Sequence, residues 1–245
     1  MNPTSIAPVV VMTGAGISTE SGIPDYRGPA GLWRTDPEYQ KLVTIDYYLA
    51  DADIRRRSWR FRMDSPAWTA EPNPAHAALV KLERSGRLAW LITQNVDGLH
   101  QKAGSDPARV LELHGNMFGV VCTGCAARST LAAARERIEA GDPDPACQAC
   151  GAILKTATVM FGENLDEQTR LQAIEAAERC ETFVVIGTSL QVQPAASLAQ
   201  IALESGSRLI IVNGGSTPYD GVAAEVIREP IGTAVPLLIE RLISG

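Results

Sequence analysis

The stretch "PVVVMTG" (residues 8–14) decides how this chain folds. It is a short, valine-rich apolar run that ends in a glycine, which is typical of a strand buried on both faces of a parallel sheet. Four similar runs follow it: "LAWLITQ" (88–94), "RVLELHG" (109–115), "FVVIGTS" (183–189) and "RLIIVNG" (208–214). Because helical patterns separate several of these runs, the sequence predicts an α/β fold with a doubly wound, Rossmann-like parallel sheet.

Three stretches between the runs carry helix signals; they are residues 73–86, 164–180 and 194–206. The first begins with Asn73 as an N-cap and Pro74 in the first turn, and it stops at a glycine. The second spaces Leu171, Ile174 and Ala177 along one face. The third starts with a proline and stops at a glycine. All three are therefore predicted to be helices.

Composition limits the classes of function. The chain has 245 residues with a net charge of −6, which argues against broad binding of nucleic acids or anionic membranes. The one basic run, "IRRRSWRFR" (54–62), is interpreted as the solvated face of a helix. No run approaches the ~20 apolar residues of a membrane span, and the first residues lack the pattern of a signal peptide. We therefore expect a cytoplasmic protein.

Two segments interrupt the alternation of strands and helices. Residues 34–71 look helical and irregular, and residues 119–156 hold four of the five cysteines. Both are interpreted as insertions that build a smaller second domain. The predicted large Rossmann-like domain then comprises residues 1–33, 72–118 and 157–245, with 34–71 as the helical part and 119–156 as the cysteine-containing part of the small domain.

The cysteine spacing indicates a metal site. Cys122 and Cys125 form one Cys-x-x-Cys pair, Cys147 and Cys150 form another, and 21 residues lie between the pairs. This arrangement is a strong signature of structural zinc, because four thiolates fill the tetrahedron and leave no position for water. Cys180, at the end of a predicted helix, is interpreted as a small buried hydrophobic residue.

Small and polar residues follow all five apolar runs, at the sheet edge where α/β proteins bind ligands. Gly14 and Gly16 directly after the first run suit a close approach of the main chain to a pyrophosphate, although a plain tight turn is an equal alternative. Asp25 and Arg27 lie in the same loop, where the arginine could pair with a phosphate or form a surface ion pair.

His114 ends the third run, beside the presumed cleft. An imidazole titrates near neutral pH and so suits a general base. A structural histidine and a metal ligand are the alternatives, and four nearby cysteines already satisfy a zinc ion. His76 and His100 are interpreted as structural residues.

Several long motifs, in the right order, resemble those of the sirtuins, the NAD-dependent protein lysine deacylases. They are "GAGISTESGIPDYRGPAGLW" (14–33), "TQNVDGLH" (93–100), "LHGN" (113–116), the two Cys-x-x-Cys pairs, "FGE" (161–163), "GTSLQVQP" (187–194) and "VN" (212–213). The resemblance extends over residues 8–240, and it implies a compact catalytic core of the microbial kind.

The resemblance also implies roles for individual residues. The loop that covers NAD would contain Gly14, Ala15, Gly16, Asp25, Tyr26 and Arg27. The nicotinamide and ribose pocket would contain Gln94, Asn95 and Asp97, with His114 as the base and Asn95 as a second catalytic residue. The phosphates and adenosine would lie along Gly187, Thr188, Ser189, Asn213 and Gly214. The substrate would pair with Phe161, Gly162 and Glu163 as an added strand, and Cys122, Cys125, Cys147 and Cys150 would bind zinc.

The implied activity is NAD-dependent removal of acyl groups, acetyl first, from protein lysines, which yields free lysine, nicotinamide and O-acyl-ADP-ribose. The expected partners are proteins that carry acyl-lysine, with no direct binding of nucleic acid and no membrane. Alternatives are a desuccinylase or demalonylase, a mono-ADP-ribosyltransferase, a dehydrogenase and a silent NAD-binding module.

The chain departs from the family pattern in three places. Tyr26 replaces the usual phenylalanine, and residues 154–163 lack the usual proline-containing stretch. Trp59 and Arg62 occupy the region where some relatives carry a Tyr-x-x-Arg pair that receives an acyl carboxylate.

Overall fold

The computed structural model describes residues 8–28, 31–35 and 38–244. Residues 1–7, 29, 30, 36, 37 and 245 lie outside the described residues. They include the start of the predicted large domain, two residues of the motif at 14–33 and two residues of the segment at 34–71.

The chain forms nine strands within the described residues. In order they are β1 (Val9–Thr13), β2 (Leu88–Thr93), β3 (Val110–Glu112), β4 (Gly115–Cys122), β5 (Arg128–Thr130), β6 (Leu154–Thr158), β7 (Thr182–Ile186), β8 (Arg208–Val212) and β9 (Glu225–Ile227). The α-helices are α1 (Leu32–Thr35), α2 (Tyr39–Leu42), α3 (Ile45–Ala50), α4 (Ala52–Met63), α5 (Pro74–Arg84), α6 (Leu99–Ala103), α7 (Leu131–Glu139), α8 (Glu167–Arg179), α9 (Ser197–Glu204) and α10 (Ile231–Ser244). Single 3-10 helices span Ala15–Ser21, Pro66–Trp68 and Pro107–Arg109.

Six strands form one parallel sheet in the order β3-β2-β1-β7-β8-β9. The predicted α/β fold with a doubly wound sheet is therefore confirmed. All five predicted strands lie in this sheet, whereas β9 at its edge was not predicted. The strand order reverses between β1 and β7, the position where such sheets bind ligands.

Helices cover both faces of the sheet. Alternate residues of β1 point to opposite sides, so that Val9 and Val11 belong to one apolar cluster and Val10 and Met12 to the other. Helices α5 and α10 pack on the first side, and α8 and α9 on the second. Burial on both faces explains why the strand sequences are continuous apolar runs.

The predicted helices are present, with two corrections. Helix α5 begins at Pro74 with Asn73 as its N-cap, as the sequence indicates. In α8, however, Leu171 is 51% exposed, and the buried face consists of alanines: Ala173, Ala176 and Ala177. Small side chains suit this face because α8 packs against α9. Helix α9 begins at Ser197, three residues after the proline.

The cysteine-containing segment forms a separate antiparallel sheet in the order β5-β4-β6, with α7 beside it. Helix α4 packs on this unit, since Trp59 shares an apolar cluster with Cys122 and Cys147. Arg55 of α4 pairs with Asp144 at 2.8 Å, which joins the helical segment to the cysteine-containing one.

The basic run in α4 is not simply a solvated face. Arg57 and Arg60 are exposed, but Arg62 is only 6% exposed and faces the cleft described below. The interpretation of the whole run as solvated is therefore wrong at Arg62.

None of the helices in the described ranges has the length and apolar character needed to cross a bilayer.

Candidate active site and metal site

A single large cleft opens at the carboxyl ends of β1, β2, β7 and β8. Its volume is about 1210 Å³. Every residue that the sequence assigned to NAD, to the substrate or to catalysis lines this cleft, except Asp97. Residues 170 positions or more apart in the chain, such as Gly14 and Ser189, therefore face one common space.

The glycines of the first loop allow close packing against the loop after β7. The Gly16 N–H donates to the Gly187 carbonyl at 2.8 Å. A Cβ on Gly16 would lie 2.7 Å from Gly187 Cα, and one on Gly14 would lie 2.6 Å from Thr188 Cβ. The absence of side chains is thus required for the first loop to contact the loop after β7. This contact brings the ends of two central strands together at the cleft.

Asn95 and Asp97 are fixed by a buried hydrogen-bond network. Asn95 Nδ2 donates to the Gly14 carbonyl and to Ser18 Oγ, each at 3.2 Å. Ser18 Oγ donates to Asp97 Oδ2 at 2.7 Å, and the Leu99 N–H donates to Asp97 Oδ1 at 3.0 Å. Burial raises the pKa of Asp97. Asp97 thus lies behind the cleft wall and orients Asn95 through Ser18.

Gln94 joins the ends of β2 and β7. Its Nε2 donates to Thr188 Oγ1 at 3.1 Å. Its main-chain carbonyl is 2.9 Å from His114 Nδ1. A carbonyl can only accept, so the imidazole carries its proton on Nδ1 and leaves Nε2 as an acceptor.

The main chain around His114 is held in place by the neighbouring segment. The Val159 N–H donates to the His114 carbonyl at 2.8 Å. The next residue, Gly115, has φ of 72° and faces the Ala157 carbonyl so closely that a Cβ would lie 2.1 Å from its oxygen. Burial lowers the pKa of His114, and the hydrogen bond to Gln94 opposes this effect only in part. The half-buried ring therefore faces the cleft as a neutral imidazole.

Asp25, Tyr26 and Arg27 line the outer part of the cleft. Asp25 Oδ1 accepts the Gly28 N–H at 2.9 Å and so closes a turn. The Arg27 guanidinium lies 4.0 Å from the centre of the Trp33 ring. Trp33 is thus a cleft residue that the sequence did not single out.

The segment proposed to receive the substrate is anchored on one side only. The Phe161 N–H donates to the Val43 carbonyl at 2.8 Å, and the Ile45 N–H donates to the Phe161 carbonyl at 2.9 Å. Glu163 accepts the Met160 N–H at 2.8 Å and pairs with the nearly buried Lys155 at 2.9 Å. Phe161, Gly162 and Glu163 also line the cleft.

Besides Trp33, sequence reasoning missed or misplaced three residues at the site. Ser18 stands in the quoted glycine-rich motif, but its link to Asp97 depends on a contact 79 residues apart. Arg62 was assigned to solvent. Arg228 follows the unpredicted strand β9, lines the cleft and donates to the carbonyls of Asn213 and Gly215, each at 2.6 Å.

The four paired cysteines bring four sulfur donors together. Their sulfur atoms all lie within 4.8 Å of one another, the only such metal-binding group found among the described residues. The Cys122–Cys150 and Cys125–Cys147 sulfur distances are 3.5 and 3.7 Å. Zn–S bonds of about 2.3 Å in a tetrahedron place sulfurs about 3.8 Å apart. The arrangement therefore fits zinc.

Local main-chain groups favour a thiolate at Cys122. The N–H groups of Cys125 and Gly124 point at its Sγ from 3.4 and 3.3 Å and lower its pKa to about 6. Cys180 lies elsewhere, buried beside Ser207, with Sγ 3.4 Å from its hydroxyl.

Comparisons with known proteins agree with this site. The sequence model of the Sir2 family matches residues 14–194. The chain is 58% identical over 234 residues to NAD-dependent protein deacetylase 2 of Streptomyces coelicolor, covering 96% of this chain and 97% of the relative. It is 43% identical over 236 residues to NAD-dependent protein deacylase 2 of Archaeoglobus fulgidus, covering 95% and 90%.

Solved structures show the same similarity. A complex of Sir2 with a p53 peptide and NAD+ superposes with a TM-score of 0.85 at 37% identity, covering 96% of this chain and 92% of that one. Sir2 bound to an acetylated peptide gives a TM-score of 0.83 at 35% identity with the same coverage. The chain belongs to the Sir2 family, the sirtuins.

Proposed function

We propose that this protein removes acyl groups, chiefly acetyl, from protein lysines in a reaction that consumes NAD. The products are free lysine, nicotinamide and O-acyl-ADP-ribose. The observation that carries the proposal is the single cleft lined by the strand-end loops, by His114 and by the Phe161–Glu163 segment. The relatives named above as NAD-dependent deacetylases and deacylases support it.

The cleft suits a dinucleotide together with a peptide side chain. Its volume of about 1210 Å³ exceeds the roughly 300–1,000 Å³ of a common ligand pocket. Bound NAD supplies a ribose carbon that already carries a good leaving group, nicotinamide. Gly14, Gly16 and Gly187 carry no side chains and would let the phosphates come close to the main chain. Asn95, oriented by Ser18, would hold the nicotinamide ribose end.

His114 acts as the base. Its Nδ1–H is held by Gln94, so the lone pair on Nε2 is free to take a proton from a ribose hydroxyl. The lowered pKa keeps the ring neutral at neutral pH.

The structural zinc would stabilise the small lobe. Its four thiolate ligands leave no position for substrate or water. A site of this kind needs reduced cysteines, and we expect the protein to act in the cytoplasm. Its partners would be acyl-lysine proteins, and the net charge of −6 supports no direct role for nucleic acid.

Replacing the base tests the proposal. The His114→Ala variant should lose turnover of an acetyl-lysine peptide by about 10²–10⁴-fold, while NAD still binds. Turnover is measured as nicotinamide release, and NAD binding by calorimetry. Near-normal turnover by the variant would show that another group is the base.

Lysine that carries an acidic acyl group is the second candidate substrate. The burial of Arg62 at the cleft favours it. Arg62 is 6% exposed, lines the cleft, and its Nε has no hydrogen-bond partner among the described residues. A buried guanidinium suits a carboxylate. Succinyl-lysine would supply one.

One peptide carrying acetyl, propionyl, succinyl or long-chain acyl lysine separates the two candidates. If the acidic group is preferred, Arg62→Met should lower kcat/KM for the succinyl peptide by about 10–100-fold, the value of a charged hydrogen bond. Arg60→Met, an exposed arginine of the same helix, is the matched control. Preference of the wild-type protein for acetyl over succinyl peptide would exclude this candidate.

A further inference from the structure

Two buried histidines that do not line the cleft meet directly behind it. His76, in the first turn of α5, is 0% exposed, and His100, in α6, is 1% exposed. Their ring centres are 5.0 Å apart. Burial lowers the pKa of His76 to about 4 and that of His100 to about 3, so both rings are neutral near pH 7.

A chain of hydrogen bonds runs from His100 to Asn95. His100 Nε2 lies 2.9 Å from Thr13 Oγ1, and Thr13 Oγ1 donates to Thr93 Oγ1 at 2.9 Å. Thr93 Oγ1 accepts the main-chain N–H of Asn95 at 3.1 Å. The two threonines are the last residues of β1 and β2 and are paired in register. The chain therefore lies directly beneath the loops that carry Gly14 and Asn95.

The direction of these bonds fixes the tautomer of His100. The single hydroxyl hydrogen of Thr13 is used in the bond to Thr93. His100 Nε2 must therefore carry a hydrogen and donate it to Thr13. This leaves His100 Nδ1 as an acceptor, and no described residue pairs with it.

The hydrogen bonds around His76 fix its tautomer as well. The Asn73 N–H points at His76 Nδ1 from 3.3 Å. Asn73 Oδ1, 3.1 Å from the same nitrogen, already accepts the N–H groups of Ala75 and His76. Nδ1 of His76 is thus an acceptor and Nε2 carries the hydrogen. That Nε2 also lacks a partner among the described residues.

One ring therefore offers an unpaired donor and its neighbour an unpaired acceptor. Since neither nitrogen has a hydrogen-bond partner among the described residues, the tautomer of each ring is set by the bonds at its other nitrogen.

We propose that His100 is a positioning residue for the reaction: its neutral Nε2–H tautomer donates to Thr13 and so orients the Thr13 and Thr93 hydroxyls that hold the main chain of Asn95. This role rests on the proposed function, because it matters for catalysis only if Asn95 serves the NAD pocket. Chains of hydrogen bonds polarise one another, so a donor at His100 strengthens the bonds that follow it.

Two substitutions at His100 test the role. His100→Leu removes the donor to Thr13, whereas His100→Gln keeps an N–H donor at nearly the position of Nε2. We expect His100→Leu to lower kcat per NAD-binding site about tenfold, the equivalent of one hydrogen bond of about 1.4 kcal/mol. We expect His100→Gln to stay within about threefold of wild type.

Thr13→Val serves as an independent variant if His100→Leu does not fold, because valine has the shape of threonine without its hydroxyl. It should reproduce the loss, and the double variant with His100→Leu should lose no more than either alone. Ser207→Ala is the matched control. It removes a buried hydroxyl that donates to the Cys180 carbonyl at 2.7 Å, just before β8 and away from the cleft. Its kcat should stay at the wild-type value.

Imidazole nitrogen-15 NMR on the wild-type protein gives a readout that activity does not supply. Both His76 and His100 should show the neutral Nε2–H form from about pH 8 to about pH 6. An Nδ1–H tautomer at His100, or wild-type kcat in both His100→Leu and Thr13→Val, would overturn the proposal. If the wild-type protein releases no nicotinamide, the proposed function fails and the positioning role with it, whereas the NMR assignment still decides the hydrogen-bond chain.

Discussion

At the scale of single residues, His114 has the two properties that the proposed base requires. The imidazole needs a free nitrogen that is unprotonated at neutral pH, and each requirement has a separate cause. The Gln94 carbonyl holds the Nδ1–H and so leaves Nε2 free. Burial against the cleft wall lowers the pKa. Neither cause is visible in the residues that flank His114 in sequence.

The pH dependence of kcat/KM tests this arrangement. A lowered pKa means that the ring loses its proton at a lower pH than an ordinary histidine, whose pKa is 6.5. Since only the neutral form is a base, activity should be complete at neutral pH and fall as the pH drops through the lowered pKa. We expect the midpoint of this acid limb below pH 6.5.

The measurement is kcat/KM for an acetyl-lysine peptide over a pH series, with zinc content checked at each pH. Loss of zinc at low pH could otherwise cause the same fall in kcat/KM, since thiolate ligands take up protons. A midpoint at or above 6.5 would contradict the assignment of the limb to a buried His114.

Residue identity was predictable from sequence where the residue type itself carries the chemistry. The paired cysteines are of this kind, and His114 is proposed as the base on the same ground. Arg62 was predictable only through the resemblance, which places it where some relatives bind an acyl carboxylate, because a helix rich in arginine does not itself show which arginine turns inward. Ser18 and Asp97 are 79 residues apart and come into contact only in the folded chain, so their hydrogen bond could not be derived from either motif alone.

At the scale of elements, the continuous apolar runs made the strands predictable. β1 is buried along its length and β8 after its first residue, so apolar residues fill four of the five positions of each strand and the run is visible in the sequence. The edge strand β9 has three half-buried residues and a glutamate at its start, so it carries no such pattern. Leu171 was wrongly assigned to the buried face of α8. Helical periodicity shows which residues share a face, but it does not show that the face packed against α9 needs small residues.

The cysteine pairs also act at this scale, because they join β4 to the turn before β6. Cys147→Ser should release the metal and lower the melting temperature of the small lobe, since three ligands hold zinc less tightly than four. Zinc per chain and thermal unfolding are the measurements.

Cys180→Ser is the matched control for this prediction. Cys180 is buried but lies outside the four-cysteine group. Its variant should keep one zinc per chain. A Cys147→Ser protein that also keeps one zinc per chain would contradict the four-thiolate site.

At the scale of the whole molecule, the cleft is a product of strand order. The order of the strands reverses between β1 and β7, so the loops after these strands diverge to opposite faces and leave a space between them. The predicted domain boundaries remain a prediction. What the sequence could not supply is the way α4 closes the cleft from the side of the small lobe, since that contact depends on Trp59 packing against the cysteine unit.

Analysis of the products tests the central claim most directly. The purified protein is incubated with NAD and an acetyl-lysine peptide, and all products are quantified by mass spectrometry. We predict equal amounts of deacetylated peptide, nicotinamide and O-acetyl-ADP-ribose. Free acetate formed without nicotinamide, or ADP-ribose attached to protein while the acetyl group stays on lysine, would contradict the account.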